Sequence, residues 1–582
     1  MNMPRIAFLH PAKSLNGKRF SGQNGNLFIR FAAAVLIFWA GTPRRGLRMA
    51  RRAIPDGKTA CFLSAAFALL AGSWLATAAE NAPPASLRTV ARIHWLGMKR
   101  LAGDTNAAPL LGVWKLPESG KLERQTLDKL SLAPWPLLHR SNDTNAAALL
   151  RPLLDDVVAE ESYTEMRRAP DLPDQMVFVI RLDDQRAVLW QTNLARVLES
   201  LTGLRPVPAP DGQYGWSLRK HHSPNVIELT RVGGWTIVGA ADIFNGLIAE
   251  LRARFQRNLP PWNLRNAGDW LEADLNPPQI IPGLTNLNSQ LSTVNRLYLS
   301  VTGDGANVLS YGTVDFPQPL SLDLKPWNIP TNLIDQHLSS LTLIRGFRPW
   351  LASSSFWTNL QIGRSPDQAC IWGIWGIPSQ TYFTAPLPEA SNEVDRFADW
   401  VLQNQKHWYA TNGLAGFERS RTSNGLVWKG LPYMSPFLCL FATNHQSFIY
   451  GGGFPNPPIQ PVSLYSAQSA LSQTNLVYHD WEMTGQRIDQ WIYMGQFARL
   501  IFHKAQLPPG SPGLTWLQAI EPKLGLSLTD VTQTGPGQLS FTRKSGLGLT
   551  GVELNLLADW LESPQFPSGL HTFTAPPDKL PP

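Results

Sequence analysis

The chain has 582 residues, 43% of them apolar and 16% charged, a globular rather than disordered composition, and it is too long for a single core. Its formal charge of +8 is unevenly placed: residues 1–48 carry eight Lys or Arg and no acid, and residues 49–79 carry Arg51, Arg52 and Lys58 against Asp56. Without residues 1–79 there remain 40 basic and 42 acidic residues, so basicity gives no warrant for a nucleic-acid partner.

Two apolar runs open the chain. Residues 27–40 are interrupted by Arg30 and fall short of the ~20 apolar residues a bilayer span needs. Residues 61–75 follow Arg51, Arg52 and Lys58 and precede Ala76-Thr77-Ala78. A basic head, an apolar stretch and a small-x-small site in that order read as a secretory signal over 49–79, with cleavage expected after Ala78 or Ala79. Met49 heads that signal, so residues 1–48 are expected to be untranslated, and the product is expected in the periplasm, envelope or medium.

Residues 80–165 read as helical. Val90, Ile93, His94, Gly97 and Leu101 share one helical face, Leu122, Leu127 and Leu130 a second, and Leu149, Leu150, Leu153, Leu154, Val157 and Val158 a third. Asp155, Asp156 and Glu160 on the other side of that third helix read as a solvated face. Strand periodicity begins at 176–182, and Asp183-Asp184 follow as a turn cap. A helix marked by Leu194, Val197, Leu198 and Leu201 ends at Gly203, and a hairpin turns at Gly233-Gly234. Strands at 270–275, 296–301, 308–314 and 320–324 follow a helix ending near Phe255.

A similar order recurs, with strands at 381–387, 425–429, 437–442, 448–450 and 476–483 and helices around Val394 (Ser391 as its N-cap) and Ile488. Residues match as well: Ser223-Pro224 with Ser435-Pro436, Val301-Thr302 with Val531-Thr532, and Leu309-Ser310-Tyr311 with Leu539-Ser540-Phe541. The pattern predicts an internal duplication over roughly 170–327 and 378–560. The expected fold class is α+β: two similar lobes (166–330 and 371–562) with mainly antiparallel sheets and flanking helices. A helical region (80–165) precedes them, a connector (331–370) joins them, and a loose tail (563–582) ends the chain.

Chemistry-bearing motifs are sparse. No HExxH, P-loop, GxSxG or Cys-x-x-Cys occurs, so no catalytic residue, cofactor-binding residue or metal ligand is assigned. Ser217 and Lys220 fit SxxK but fall in a strand-like run, where they point to opposite faces. His221-His222 reads as a surface pair, Gly451-Gly452-Gly453 as a mobile loop, and His479-Asp480 and His503 as too far apart in sequence for a dyad. Cys370 and Cys439 are candidates for a disulfide in an oxidising compartment. Twenty Trp remain after residue 79, scattered as core residues would be, with sugar-stacking platforms as the alternative.

The segments 92–97, 104–108, 116–119, 126–130, Lys325-Pro-Trp-Asn-Ile-Pro-Thr-Asn332 and Ala558-Asp-Trp-Leu-Glu-Ser563 resemble a set of secreted bacterial proteins of unknown function. The layout is similar to a broader group of exported proteins with duplicated α+β halves. The resemblance implies export and brings no catalytic residues. The expected function is a non-enzymatic envelope or periplasmic protein that binds a hydrophobic or polymeric partner. The alternatives are a carbohydrate-binding protein using exposed Trp, or an enzyme of unrecognised type.

Overall fold

The computed structural model describes residues 87–567, apart from internal segments of which the longest are 281–293, 350–365, 397–417 and 455–470. The first half runs β1 (Arg88–Trp95), α1 (Met98–Leu101), α2 (Ala108–Trp114), α3 (Pro117–Leu132), α4 (Pro134–Leu137), α5 (Thr144–Ala159), β2 (Ser162–Ala169) and β3 (Leu172–Arg181). It continues through α6 (Asp184–Thr202), β4 (Val207–Pro208), β5 (Trp216–Arg219), β6 (Asn225–Val232), β7 (Trp235–Asp242) and α7 (Leu247–Gln256). It closes with β8 (Leu271–Leu275), the single turn α8 (Pro277–Ile280), β9 (Arg296–Gly303) and β10 (Val308–Asp315). The second half runs β11 (Leu338–Arg345), β12 (Gln368–Ile374), β13 (Thr381–Pro386), β14 (Glu418–Thr422), β15 (Gly425–Lys429), β16 (Phe437–Ala442) and β17 (Ser447–Gly452). Then come β18 (Leu476–Met483), α9 (Thr484–Phe502), α10 (Pro512–Ile520), β19 (Leu526–Gly535), β20 (Gln538–Ser545) and α11 (Gly551–Glu562).

Local chemistry sets many of these boundaries. Asp183 caps α6 by accepting from the Arg186 N–H at 2.8 Å, and Gly203 ends it in the left-handed region (φ 75°), which costs a residue without Cβ nothing. Thr550 and Glu553 form a reciprocal capping box at the start of α11. β6 and β7 pair up to Val232 opposite Trp235, leaving Gly233-Gly234 as a two-residue turn.

Among the described residues every strand pairing is antiparallel, and together the pairings form one sheet of 20 strands. From one edge the order is β4-β5-β6-β7-β3-β2-β1-β8-β9-β10, and it continues β20-β19-β18-β11-β12-β13-β17-β16-β15-β14. The α+β class holds, but the expectation of separate sheets in separate lobes gives way to a single sheet joined at β10–β20. The expected connector contributes β11, an interior strand paired with β12 and β18. The expected strand at 320–324 is extended chain without sheet pairing.

The helix expected across Val90–Leu101 is instead strand β1 followed by the single turn α1. β1 lies between β2 and β8, so both its edges are paired, and its burial (Val90, Ala91 and His94 buried) does not follow the alternation that marks a strand. The rest of the expected N-terminal helical region is helical as far as Ala159 and then enters β2.

The two faces of the sheet are covered differently. On one face, α3, α5 and α6 bury Leu127, Leu150, Trp190 and Leu194 against Phe178, Ile180, Leu218 and Val238. Helices α9, α10 and α11 continue that layer, and α2 and α3 reach them through Val113 and Leu122 against Trp516, Leu517 and Leu554. On the opposite face, α7 covers Tyr163, Val179 and Ile237, while residues 316–334 form a strap over the second half. The strap passes round the strand ends. Leu320, Leu322 and Leu324 pack with Ile344, and Trp327, Ile329 and Leu333 pack with Leu341, Leu343 and Trp372 on the other face. Between α7 and the strap the central strands expose Tyr311, Leu526 and Leu528.

Candidate functional site

Beneath the helical layer, β18 places Tyr478, Asp480 and Glu482 on one face because alternate strand residues share a face. Asp480 accepts from Thr342 Oγ1 at 2.6 Å, and Glu482 Oε1 accepts from the Gly551 N–H at 2.7 Å at the start of α11. Burial raises both carboxyls, Glu482 to about 7, with the neighbouring Asp480 adding to the shift. Arg487 donates to Gln490 at 2.6 Å, and Gln490 donates to the Ile374 carbonyl at 2.9 Å. Arg543 joins Thr529 and makes a two-pronged pair with Glu553 at 2.6 and 3.1 Å. His479 points to the opposite face and meets Asp530 at 2.7 Å across β18–β19, a partner its sequence position did not suggest.

A second network lies where β1 and β2 meet. His94 Nε2 stands 3.2 Å from Glu161 Oε1, Tyr163 donates to the same oxygen at 3.1 Å, and Arg100 donates to Oε2 at 2.7 Å. The His94 ring stacks on Tyr163 with centroids 4.4 Å apart. Hydrogen bonds from His94 and Arg100 outweigh burial and hold Glu161 below the usual carboxylate range, while burial lifts the Tyr163 phenol. These acids have partners from the protein itself and lie under packed side chains.

The cleft is a different kind of place. It has a volume of about 440 Å³ and lies between the strap and residues 471–474 on the face opposite the helices. Leu324, Pro326, Ile329 and Leu471 line it with apolar surface, and Thr331 and Thr474 add hydroxyls. Arg345, the last residue of β11 and 3% exposed, forms part of its wall. Its guanidinium donates to four carbonyls: Leu476 at 2.7 Å, Lys325 at 2.7 Å, Gln473 at 2.9 Å and Thr474 at 2.8 Å. It also lies over the Trp327 ring, 4.6 Å from the centroid. Burial pushes its pKa down, and no carboxylate among the described residues counters the shift. Gln368 fixes the strap from β12, accepting from the Asn328 N–H at 2.7 Å and donating to the Pro326 carbonyl. The Trp327 indole N–H is buried and lacks an acceptor among the described residues.

The motifs singled out by sequence fare unevenly. Segment 325–332 proves to be the wall of the cleft. Ser217 lies in strand β5, as expected, and is exposed there, while Lys220, His221, His222 and His503 lie outside the described residues, as do Ala78 and Ala79 with the whole signal. Asp156 is not on a solvated face: it is buried, receives Arg186 at 2.7 and 2.9 Å and accepts from Trp190 Nε1 at 2.8 Å. Helical spacing hid this because α6 crosses α5 there, which no local pattern encodes.

Gly451 and Gly452 are buried strand residues of β17, covered by the Phe383 and Tyr382 rings, and not a loop. Cys370 and Cys439 are free thiols. They share one row of the sheet, Cys370–Thr384–Tyr450–Cys439, so three strand spacings, about 14 Å, separate them, well beyond disulfide reach. Among the described Trp only Trp114 is counted as exposed, at 37%. No helix among the described residues is long and apolar enough to cross a membrane, and no group of His, Cys, Asp and Glu among them is arranged to hold a metal ion.

Compared with family models, curated proteins and solved structures, the chain matches none.

Proposed function

We propose that this is an exported, non-enzymatic binding protein that holds its ligand in the cleft between the strap and residues 471–474. One observation carries this reading: apolar side chains, hydroxyls and a buried arginine converge on an open space of ligand size there. Asp480, Glu482 and Glu161, by contrast, are engaged by the protein's own donors. The scarcity of exposed Trp among the described residues favours a cleft ligand over sugar stacking on the surface. The test is native mass spectrometry of the chain purified from an exporting host. A small molecule bound to the wild type and absent from Leu471→Trp, which fills the cleft, is expected. Catalytic turnover that survives Leu471→Trp and is abolished by Glu482→Gln would overturn the reading.

Export rests on the pattern over 49–79, and the resemblance to secreted bacterial proteins fits it. Amino-terminal sequencing of the native protein is expected to begin at Ala79 or Glu80; a start within residues 1–48 removes this part of the proposal. We also infer that the chain arose by duplication into two similar lobes fused through one sheet. The support is the recurrence of ten strands in one pairing order, β4 to β10 in the first half and β14 to β20 in the second.

A further inference from the structure

We propose that the cleft takes a small amphiphile with a single carboxylate head and an apolar body. This rests on the cleft being the binding site and adds the chemistry of the ligand. Arg345 is the one charged side chain among the described residues that line it. Lys325 pairs with Asp323 at 3.3 Å and Asp367 at 3.2 Å, and Arg348 pairs with Asp367 at 2.9 Å.

The donors of Arg345 go to four carbonyls. Carbonyl dipoles solvate a guanidinium but cancel no charge, so the described lining of the cleft carries one positive charge, on a side chain only 3% exposed. In such surroundings a charge acts at longer range than in water. One positive charge among the described lining residues matches a monoanion; a phosphate dianion would bring a second negative charge with no second cation among those residues to meet it. The apolar body would lie along Leu324, Pro326, Ile329 and Leu471, with Thr331 and Thr474 near the head. A volume of about 440 Å³ suits a medium-length chain and not a folded partner.

The experiment is calorimetric titration of the mature chain with decanoate, decanol and decyltrimethylammonium, the two ions below their micellar concentrations and decanol below its solubility limit. Substituting Arg345 would release the four carbonyls and unfold the strap, so the charge is probed at exposed Thr474 with Thr474→Asp. Decanoate is expected to bind at least tenfold tighter than decanol, and the ammonium weakest. Thr474→Asp is expected to weaken decanoate about tenfold and decanol by a clearly smaller factor. Equal binding of decanoate and decanol, or decanoate binding indifferent to Thr474→Asp, overturns the anionic head and leaves the cleft standing as an apolar site. Binding of none of the three, or binding unchanged in Leu471→Trp, overturns the cleft reading together with its ligand.

Discussion

Glu482 is where the environment of one side chain has the clearest consequence. Its carboxyl is raised from the usual 4.5 to about 7 because burial disfavours the charged form. The folded state therefore holds a proton that the unfolded chain has already released. The stabilisation is complete below about pH 4.5 and is lost as pH rises through 7, by roughly 3 kcal/mol in all. Glu482→Gln keeps an acceptor for the Gly551 N–H and has no proton to lose. Urea unfolding across pH 5–8 is expected to give a flatter stability profile for the variant, which becomes the more stable form at pH 8; parallel profiles would refute the assignment. Asp156 offers a second reading at this scale. Asp156→Ala removes the carboxylate shared by Arg186 and the Trp190 N–H, and a loss of roughly 1–3 kcal/mol in chemical denaturation is expected. Its burial could not be inferred from helical spacing, because Asp155 and Asp156 differ only in which one meets α6.

At the level of elements, the central β10–β20 pair decides which sequence matches are structural. Tyr311 lies opposite Thr542 and Gly312 opposite Phe541. Paired residues share a face and neighbours alternate, so Tyr311 and Phe541 point to opposite faces although their segments match in sequence. The Phe541 ring lies over Gly312, where an added Cβ would stand 2.3 Å from Cε1. Gly312→Val is therefore expected to cost roughly 1–3 kcal/mol, read as a lower denaturation midpoint, and Phe541→Ala in the same chain is expected to restore part of it. The Val301-Thr302 and Val531-Thr532 match does occupy corresponding places in β9 and β19, and Pro224 and Pro436 each stand just before β6 and β16. β11, by contrast, lies where the sequence suggested a connector. Its run 338–345 is apolar enough for a strand, but only pairing with β12 and β18 distinguishes it from extended chain.

For the whole molecule, the continuous sheet makes the two halves dependent on each other. Each half ends in a strand, β10 or β20, whose open side is covered only by the other. Residues 88–315 produced alone are expected to self-associate through β10, seen as a dimer or larger species by light scattering, and a co-produced second half is expected to restore a one-to-one complex. A stable monomer would show that β10–β20 adds little. The outer edges are blunted differently: β4 is two residues long and contains Pro208, and β14 carries Glu418, Arg419 and Arg421.

The sequence by itself determined the signal-like start, most strands and helices, and the recurring order, because periodicity, caps and Gly turns are local properties of a chain. It also marked segment 325–332 without indicating what that segment does. Only the tertiary structure decided that β1 is a strand, that the halves share one sheet, that Asp156 and Glu482 are buried, and that Cys370 and Cys439 lie three strands apart. The cleft belongs to that second group. Arg345 reaches carbonyls about 20 and 130 residues away along the chain, and such pairings form only when strand ends and strap are brought together.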